Sequence, residues 1–250
     1  MRMVVQRAVL ALLVLWATDA SAQTADEIVE QHLAATGGRA ALAKLTSRVS
    51  TGSIALTTPV GEVKGTVDAY AKAPNKSRLL IVLDLAALGA GKATSDQRFD
   101  GSAGYVIDSF NGNREIAGEQ LEAMRGVVFP TPLLNYRDLG TTLESLGREK
   151  TDTGDAYVLR LTPKSGPSVR MYIDGRTLML VKTIVAVHVP EAGGEIEQTV
   201  EFSDYRTVDD VQVPYTIRST NRIQTVTATM ADVKHNVEIP DSSFARPAGQ

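Results

Sequence analysis

The stretch QRFDGSAGYVIDS, residues 97–109, places a short polar segment between two runs in which polar and apolar residues alternate. The polar segment, residues 100–104, has two interpretations: the turn of a β-hairpin, or a loop that holds a ligand or a catalytic serine. Alternation with a period of two is typical of a strand with one buried face, and Asp-Gly often forms a hairpin turn. The choice between the two interpretations depends on what surrounds the segment.

The same alternation continues along most of the chain from Arg48 onward, and turn-forming residues separate the runs. Before the first run, a capping box at residues 24–27 begins a helix that Gly37 and Gly38 end, and a second short helix is expected at 39–45. The pattern predicts a mainly β (α+β) fold built on a long antiparallel meander. We predict eleven strands, at residues 48–57, 61–71, 77–87, 93–99, 105–110, 156–162, 168–173, 178–189, 195–206, 211–218 and 223–233.

One insert, residues 118–147, loses the alternation and reads as a helix, a proline-bearing loop and a helix, with more apolar surface than a loop requires. The strands at 77–87 and 178–189 are apolar on both sides, whereas the strand at 195–206 has one charged face. Too few helices exist to cover both faces of such a sheet. We therefore predict a large curved sheet that forms an unclosed half-barrel, with the insert as a helical lid on its concave side.

Residues 1–22 have the pattern of a secretory signal peptide: two arginines, a short apolar run and a small-residue A-x-A cleavage site. The alternative is an N-terminal membrane anchor. Cleavage after Ala22 would leave one domain, residues 23–250, with N-terminal helices at 24–46 and the lid at 118–147.

The chain has no cysteine, which excludes disulfides, thiolate metal sites and lipidation at a cysteine. The net charge of −3 and the lack of a basic run argue against nucleic acid as a partner.

Recognisable catalytic and metal-binding motifs are absent from the sequence. His32, His188 and His235 lie far apart and form no zinc-ligand pair. Residues 88–94 lack the spacing of a phosphate loop, and residues 101–104 are one residue short of a nucleophile elbow. A hydrolase with a dispersed site would need His188 or His235 beside a serine or a carboxylate in a cleft. We expect no enzyme activity, no cofactor and no metal.

Three segments in order carry a family resemblance: GTVDAYAKAPNKSRLL at residues 65–80, RFDGSAGYVIDS at 98–109 and NVEIPDSSFARPAG at 236–249. They resemble the periplasmic lipoprotein-carrier family (LolA/LolB-like proteins) and exported proteins called outer-membrane lipoprotein-sorting-like. The resemblance implies an unclosed barrel of about eleven strands with a helical lid, which carries acyl chains and has no catalytic residues. It also implies that the opening stretch is a hairpin, with Tyr105 where the family usually has tryptophan. The family arginine that bonds to the lid is replaced here by Ala73.

The function expected from these observations is a soluble periplasmic carrier that holds a lipid, an acyl chain or a lipoprotein between the concave sheet and the lid. The alternative is an envelope-stress sensor or a protein-interaction module on the same fold. Expected partners are a lipid or acylated ligand and an envelope protein as donor or acceptor; we expect a monomer without stable membrane insertion. The candidate ligand contacts, each of which could instead be closed core packing, are Leu79, Ile81, Leu83, Leu121, Met124, Phe129, Leu133, Leu134 and Tyr136.

Overall fold

A computed structural model describes residues 23–59, 61–109, 111–152, 154–189 and 194–247, and the expected signal peptide lies outside them. Thirteen antiparallel strands form one sheet that does not close, with the spatial order β6-β5-β4-β3-β2-β1-β13-β12-β11-β10-β9-β8-β7. The strands are β1 Ser47–Thr58, β2 Gly61–Lys72, β3 Lys76–Asp84, β4 Lys92–Phe99, β5 Gly104–Asp108, β6 Arg114–Ile116, β7 Thr142–Thr151, β8 Gly154–Thr162, β9 Val169–Asp174, β10 Leu180–Val189, β11 Gly194–Val208, β12 Val211–Thr220 and β13 Thr225–His235.

Among the described residues the helices are few and short. They are α1 Ala25–Ala35, α2 Arg39–Leu42, α3 Gly118–Arg125 and single 3-10 turns at Ala86–Leu88, Pro132–Leu134 and Asp241–Ser243. The predicted capping box is confirmed, since the Thr24 side chain accepts a hydrogen bond from the backbone of Glu27 and the Glu27 side chain accepts one from the backbone of Thr24. These contacts satisfy two backbone donors that the first turn of α1 leaves without helical partners.

The strand pattern confirms the predicted fold class, a mainly β fold with an unclosed antiparallel sheet, but the count of eleven strands was too low. The two additional strands are the edges of the sheet. Strand β6 has only three residues, and most residues of β7 are exposed, so neither carries the clear apolar alternation of a half-buried strand. Residues 142–147, which the sequence placed in the lid, belong to β7, and the expected second lid helix is a single 3-10 turn.

The opening stretch forms the hairpin of β4 and β5, in which Phe99 pairs with Gly104. The carboxylate of Asp100 accepts hydrogen bonds of 2.8 Å from the backbone nitrogens of both Ser102 and Ala103, which fixes the turn. The segment is therefore neither a ligand loop nor a nucleophile elbow. Tyr105 pairs with Arg98, on the face of the sheet opposite to Gln97 and the lid.

One face of the sheet, which we call the inner face, packs against α1 and the segment that links β6 to β7. A single core lies between them, and its buried members come from α1, from the strands and from that segment: Ile28, Val29, Leu33, Ile54, Val67, Leu133, Leu159, Ile173, Val213 and Val233, among others. The opposite, outer face has a smaller cluster of Ala156, Val158 and Tyr172. Two apolar faces were predicted for the strands at 77–87 and 178–189; in β10, Val181 and Ile184 pack against this outer cluster, whereas Val185 pairs with Val169 on the inner face.

The route of the chain explains the position of the lid. Strand β6 is one edge of the sheet and β7, the next strand in sequence, is the opposite edge. Residues 117–141, which we call the lid segment, must therefore pass from one edge to the other, and they do so over the inner face.

Candidate functional site

The second half of the lid segment is anchored in the core. Phe129, Leu133 and Tyr136 are buried, with Leu133 fully inaccessible to solvent. The backbone nitrogen of Phe129 donates a 2.8 Å hydrogen bond to the carbonyl of Pro74, in the turn between β2 and β3. The guanidinium of Arg39 donates a 2.6 Å bond to the carbonyl of Leu134. This half of the lid is part of the folded core.

The first half of the lid segment, which contains α3, is attached differently. Helix α3 has no buried residue, and a polar contact joins it to the loop between β8 and β9. The hydroxyl of Ser165 donates to Glu122, whose carboxylate also accepts a bond from Arg125. The hydrogen bond from Ser165, together with the charge of Arg125, lowers the pKa of Glu122. Polar contacts exchange with water more readily than buried apolar contacts, so α3 is the weakly held half of the lid.

Beneath this weakly held half lies a cavity of about 560 Å³, which we call the lid cleft. Its lid side is formed by Ala123, residues 125–128, Pro132 and Leu139. Its sheet side is the inner face of four adjacent strands, β8 to β11, together with the loop between β8 and β9. The apolar side chains from these strands are Leu161, Val169, Met171, Val185, Val187 and Phe202.

The chemistry of the lid cleft is that of an apolar binding cavity. A volume of a few hundred Å³ with a mainly apolar lining is typical of small-molecule sites. Two exposed cations, Arg125 and Lys164, lie at its solvent side. Among the residues that line it there is no histidine and no carboxylate. The described part of the chain also contains no cluster of three histidine, aspartate or glutamate side chains placed to hold a metal ion.

Two of the three histidines can be located. The buried ring of His32 lies with Nδ1 2.8 Å from the carbonyl of Leu178, and burial lowers the pKa of His32. The His235 side chain is fully buried with Nδ1 3.3 Å from a carboxylate oxygen of Asp209, but it lines no described cavity. The side chain of His188 lies outside the described residues. Neither described ring is open to a substrate, so the geometry offers no support for a dispersed hydrolase.

The nine candidate contacts lie around the lid cleft rather than in its lining. Phe129, Leu133 and Tyr136 are buried in the core, and Leu134, Ile81 and Leu83 pack against it partly buried. Leu79 is 39% exposed on β3. Leu121 and Met124 lie partly buried on α3, where the amide of Gln97 contacts the Met124 sulfur at 3.4 Å. Their role as ligand contacts stays a prediction.

The cleft residues that were not chosen from the sequence come from three places. They are the lid segment, including Val127 and Val128 just after α3, the loop between β8 and β9, and strands β8 to β11. The sequence did indicate that Val185, Val187 and Phe202 lie on apolar faces of their strands. What the sequence could not show is that the cavity beneath the lid lies over these four strands rather than over β3.

Comparisons with known proteins support the fold. No family model and no curated protein matches the chain. Among solved structures, an outer membrane lipoprotein-sorting protein domain from Vibrio parahaemolyticus is 13% identical, with a TM-score of 0.56 over 88% of this chain and 95% of that chain. A LolA superfamily protein from Nitrosomonas europaea is 16% identical, with a TM-score of 0.57 over 90% and 99%. A DUF1329 family protein from Desulfovibrio piger is also 16% identical, with a TM-score of 0.56 over 89% and 99%.

These similarities define the class of the structure: the chain has a LolA-like fold. The resemblance seen in the sequence motifs is thereby confirmed at the level of the fold. In the third of the sequence motifs, residues 236–249, Phe244 has a structural role, because its side chain is fully buried. Within the described residues, no helix is long and apolar enough to cross a membrane.

Proposed function

We propose that this protein is a periplasmic carrier that binds the hydrophobic part of a lipid or an acylated molecule in the lid cleft. The observation that carries the proposal is the cleft itself, an apolar cavity of about 560 Å³ between the sheet and the weakly held half of the lid. Apolar surface in such a cavity binds an acyl chain because the chain leaves water on entry.

Two further points support the proposal. Solved structures with the same fold include a lipoprotein-sorting protein domain and a LolA superfamily protein. Residues 1–22 have the pattern of an export signal, which would direct a single domain of residues 23–250 to the periplasm. A sensor or interaction module on the same fold would need an exposed apolar patch on the lid and no internal cavity, so the cavity favours the carrier.

The direct test is native mass spectrometry of the protein purified from the periplasm, followed by organic extraction and lipid analysis. A bound acyl-bearing species supports the proposal and identifies the ligand. A mass of the protein alone, with no uptake of added lipids, would contradict it.

A pair of adjacent residues on β10 makes the test specific to the lid cleft. Val185 faces the cleft, whereas its neighbour Ala186 is exposed on the outer face and pairs with Glu197. In the variant Val185→Gln the amide would lie unpaired among apolar groups, which costs about 1–3 kcal/mol. We expect affinity for the neutral fluorophore N-phenyl-1-naphthylamine to fall roughly 5- to 150-fold. Ala186→Gln is the matched control and should bind as the wild type does.

A further inference from the structure

Arg48 is a cation on the inner face, without a carboxylate partner in the described part of the chain. It lies on β1 and pairs with His235 of β13 on one side and Ala71 of β2 on the other. Among the described residues no carboxylate comes within ion-pair distance of its guanidinium, whose Cζ atom lies 5.6 Å from the centre of the Phe129 ring in the lid. Arg78 and Arg98, in contrast, share the buried carboxylate of Asp96.

The surroundings of Arg48 make an uncompensated charge costly. Burial lowers the pKa of Arg48, and the charge of Arg48, after burial itself, lowers the pKa of the neighbouring His235. The Arg48 side chain is partly buried, and a charge partly removed from water is less favourable without a partner than with a ligand that supplies the opposite charge. The ring of Phe129 offers only a weak cation–π contact at this distance.

A small cavity of about 110 Å³ lies beside Arg48, and we call it the arginine pocket. Besides Arg48, Ser50 and Tyr70, the lining consists of apolar residues: Ala69, Ala71, Val213, Pro214, Ile217 and Met230. Arg48 and the Ser50 hydroxyl in this mainly apolar lining can hold a carboxylate with little else attached to it. A bulky polar head group does not fit a space of a few water volumes.

The arginine pocket and the lid cleft adjoin one another on the inner face. Phe202 of β11 lines the lid cleft, and Ile217 of β12, its directly opposed partner in the sheet, lines the arginine pocket. Side chains of directly opposed residues on one face lie about 5 Å apart at Cβ. From β10 to β1 the sheet crosses four strand spacings, roughly 19 Å. A single extended molecule can therefore have its tail in the lid cleft and its end at Arg48.

We infer that the ligand is an amphiphile with a free terminal carboxylate, a long-chain fatty acid, whose carboxylate binds Arg48 while its acyl chain lies in the lid cleft. This inference rests on the proposed carrier function and adds the class of ligand and the residue that selects it. The planar guanidinium suits a carboxylate because it can donate two parallel hydrogen bonds.

The test compares two ligands that differ only in the head group, hexadecanoate and 1-hexadecanol, by displacement of N-phenyl-1-naphthylamine. We expect the wild type to bind hexadecanoate roughly tenfold or more tightly than hexadecanol, since a hydrogen bond to a charged partner is worth that much. Arg48→Met should bind the two ligands equally, and Arg48→Lys should recover part of the preference. Arg218→Met is the control, because Arg218 is exposed and pairs with Glu201 at 3.0 Å.

Thermal unfolding of the ligand-free variants separates ligand binding from a structural role of Arg48. Removal of a partly buried charge that has no carboxylate partner among the described residues should leave the midpoint of Arg48→Met unchanged or higher, whereas loss of a structural contact would lower it. Equal binding of both ligands by the wild type, or a preference that survives in Arg48→Met, would overturn the inference and leave the carrier function standing. If neither the fluorophore nor either ligand binds, the carrier function fails and the inference with it.

Discussion

The anchored half and the weakly held half of the lid should respond differently to truncation. Leu133 is fully buried in the core, so Leu133→Ala removes side-chain atoms that all contact protein and leaves a cavity. Such substitutions cost about 2–5 kcal/mol of the free energy of unfolding. Val127 lines the lid cleft but is 61% exposed, so Val127→Ala should cost less than about 0.5 kcal/mol.

Urea unfolding followed by circular dichroism measures both effects. For a domain of this size the free energy of unfolding changes by about 2–3 kcal/mol per molar urea, so Leu133→Ala should lower the unfolding midpoint by roughly 1–2 M. Val127→Ala should leave the midpoint unchanged but weaken binding of the neutral fluorophore. The expected pattern is a stability loss for one variant and an affinity loss for the other.

The opposite pattern would refute the reasoning. If Leu133→Ala unfolds at the wild-type urea concentration but binds the fluorophore poorly, Leu133 contacts the ligand as the sequence predicted, and the second half of the lid is not part of the core. The assignment of the lid cleft to the first half of the lid would then fall as well.

Three further outcomes follow from particular contacts. Burial lowers the pKa of both His32 and His235 below 6.5, so between 6.5 and the folded pKa values the unfolded chain binds more protons than the folded chain. Urea unfolding should therefore show that the free energy of unfolding decreases as the pH is lowered below about 6.5, by up to about 1.4 kcal/mol per pH unit for each ring. Replacement of both histidines by glutamine should flatten this slope. Two lysine partners lower the pKa of Asp241 to about 2, so an NMR titration of its carboxyl carbon should give that value, and a value near 3.8 would show that the lysines do not contact it. A Cβ atom at Gly65 would overlap the backbone of the neighbouring strand, whereas a Cβ atom at Gly91 would meet open space. Calorimetry should therefore show that Gly65→Ala lowers the free energy of unfolding by roughly 1–3 kcal/mol and that Gly91→Ala leaves it unchanged.

Much of the fold could be predicted because its signals are local. The capping box at the start of α1 and the Asp100 turn depend on residues within four positions of one another. The alternation of strands such as β11 shows directly which side chains face the core, because successive side chains of a strand point to opposite faces. Strand β7 was missed as such because an edge strand that is mostly exposed has no apolar face to reveal it.

The candidate site was harder to predict because it depends on contacts between distant segments. Leu133 and Val127 are six residues apart and both apolar, yet one is fully buried and the other is 61% exposed. Nothing in the local pattern separates them, since the difference arises from where the lid crosses the sheet. The pairing of Phe202 with Ile217, which brings the two cavities together, likewise depends on the register between β11 and β12.

By itself the sequence determined the mainly β class, the open meander with a lid, and the absence of cysteine chemistry, because apolar periodicity and residue type act within each segment. Only the tertiary structure decided that the lid joins the two edges of the sheet, that its second half is core, and that a cavity remains under its first half. It also decided that Arg48 faces inward without a carboxylate partner among the described residues. Burial and pairing are properties of three-dimensional neighbours, and residues such as Arg48 and Phe129, 81 positions apart in the chain, become neighbours only in the folded protein.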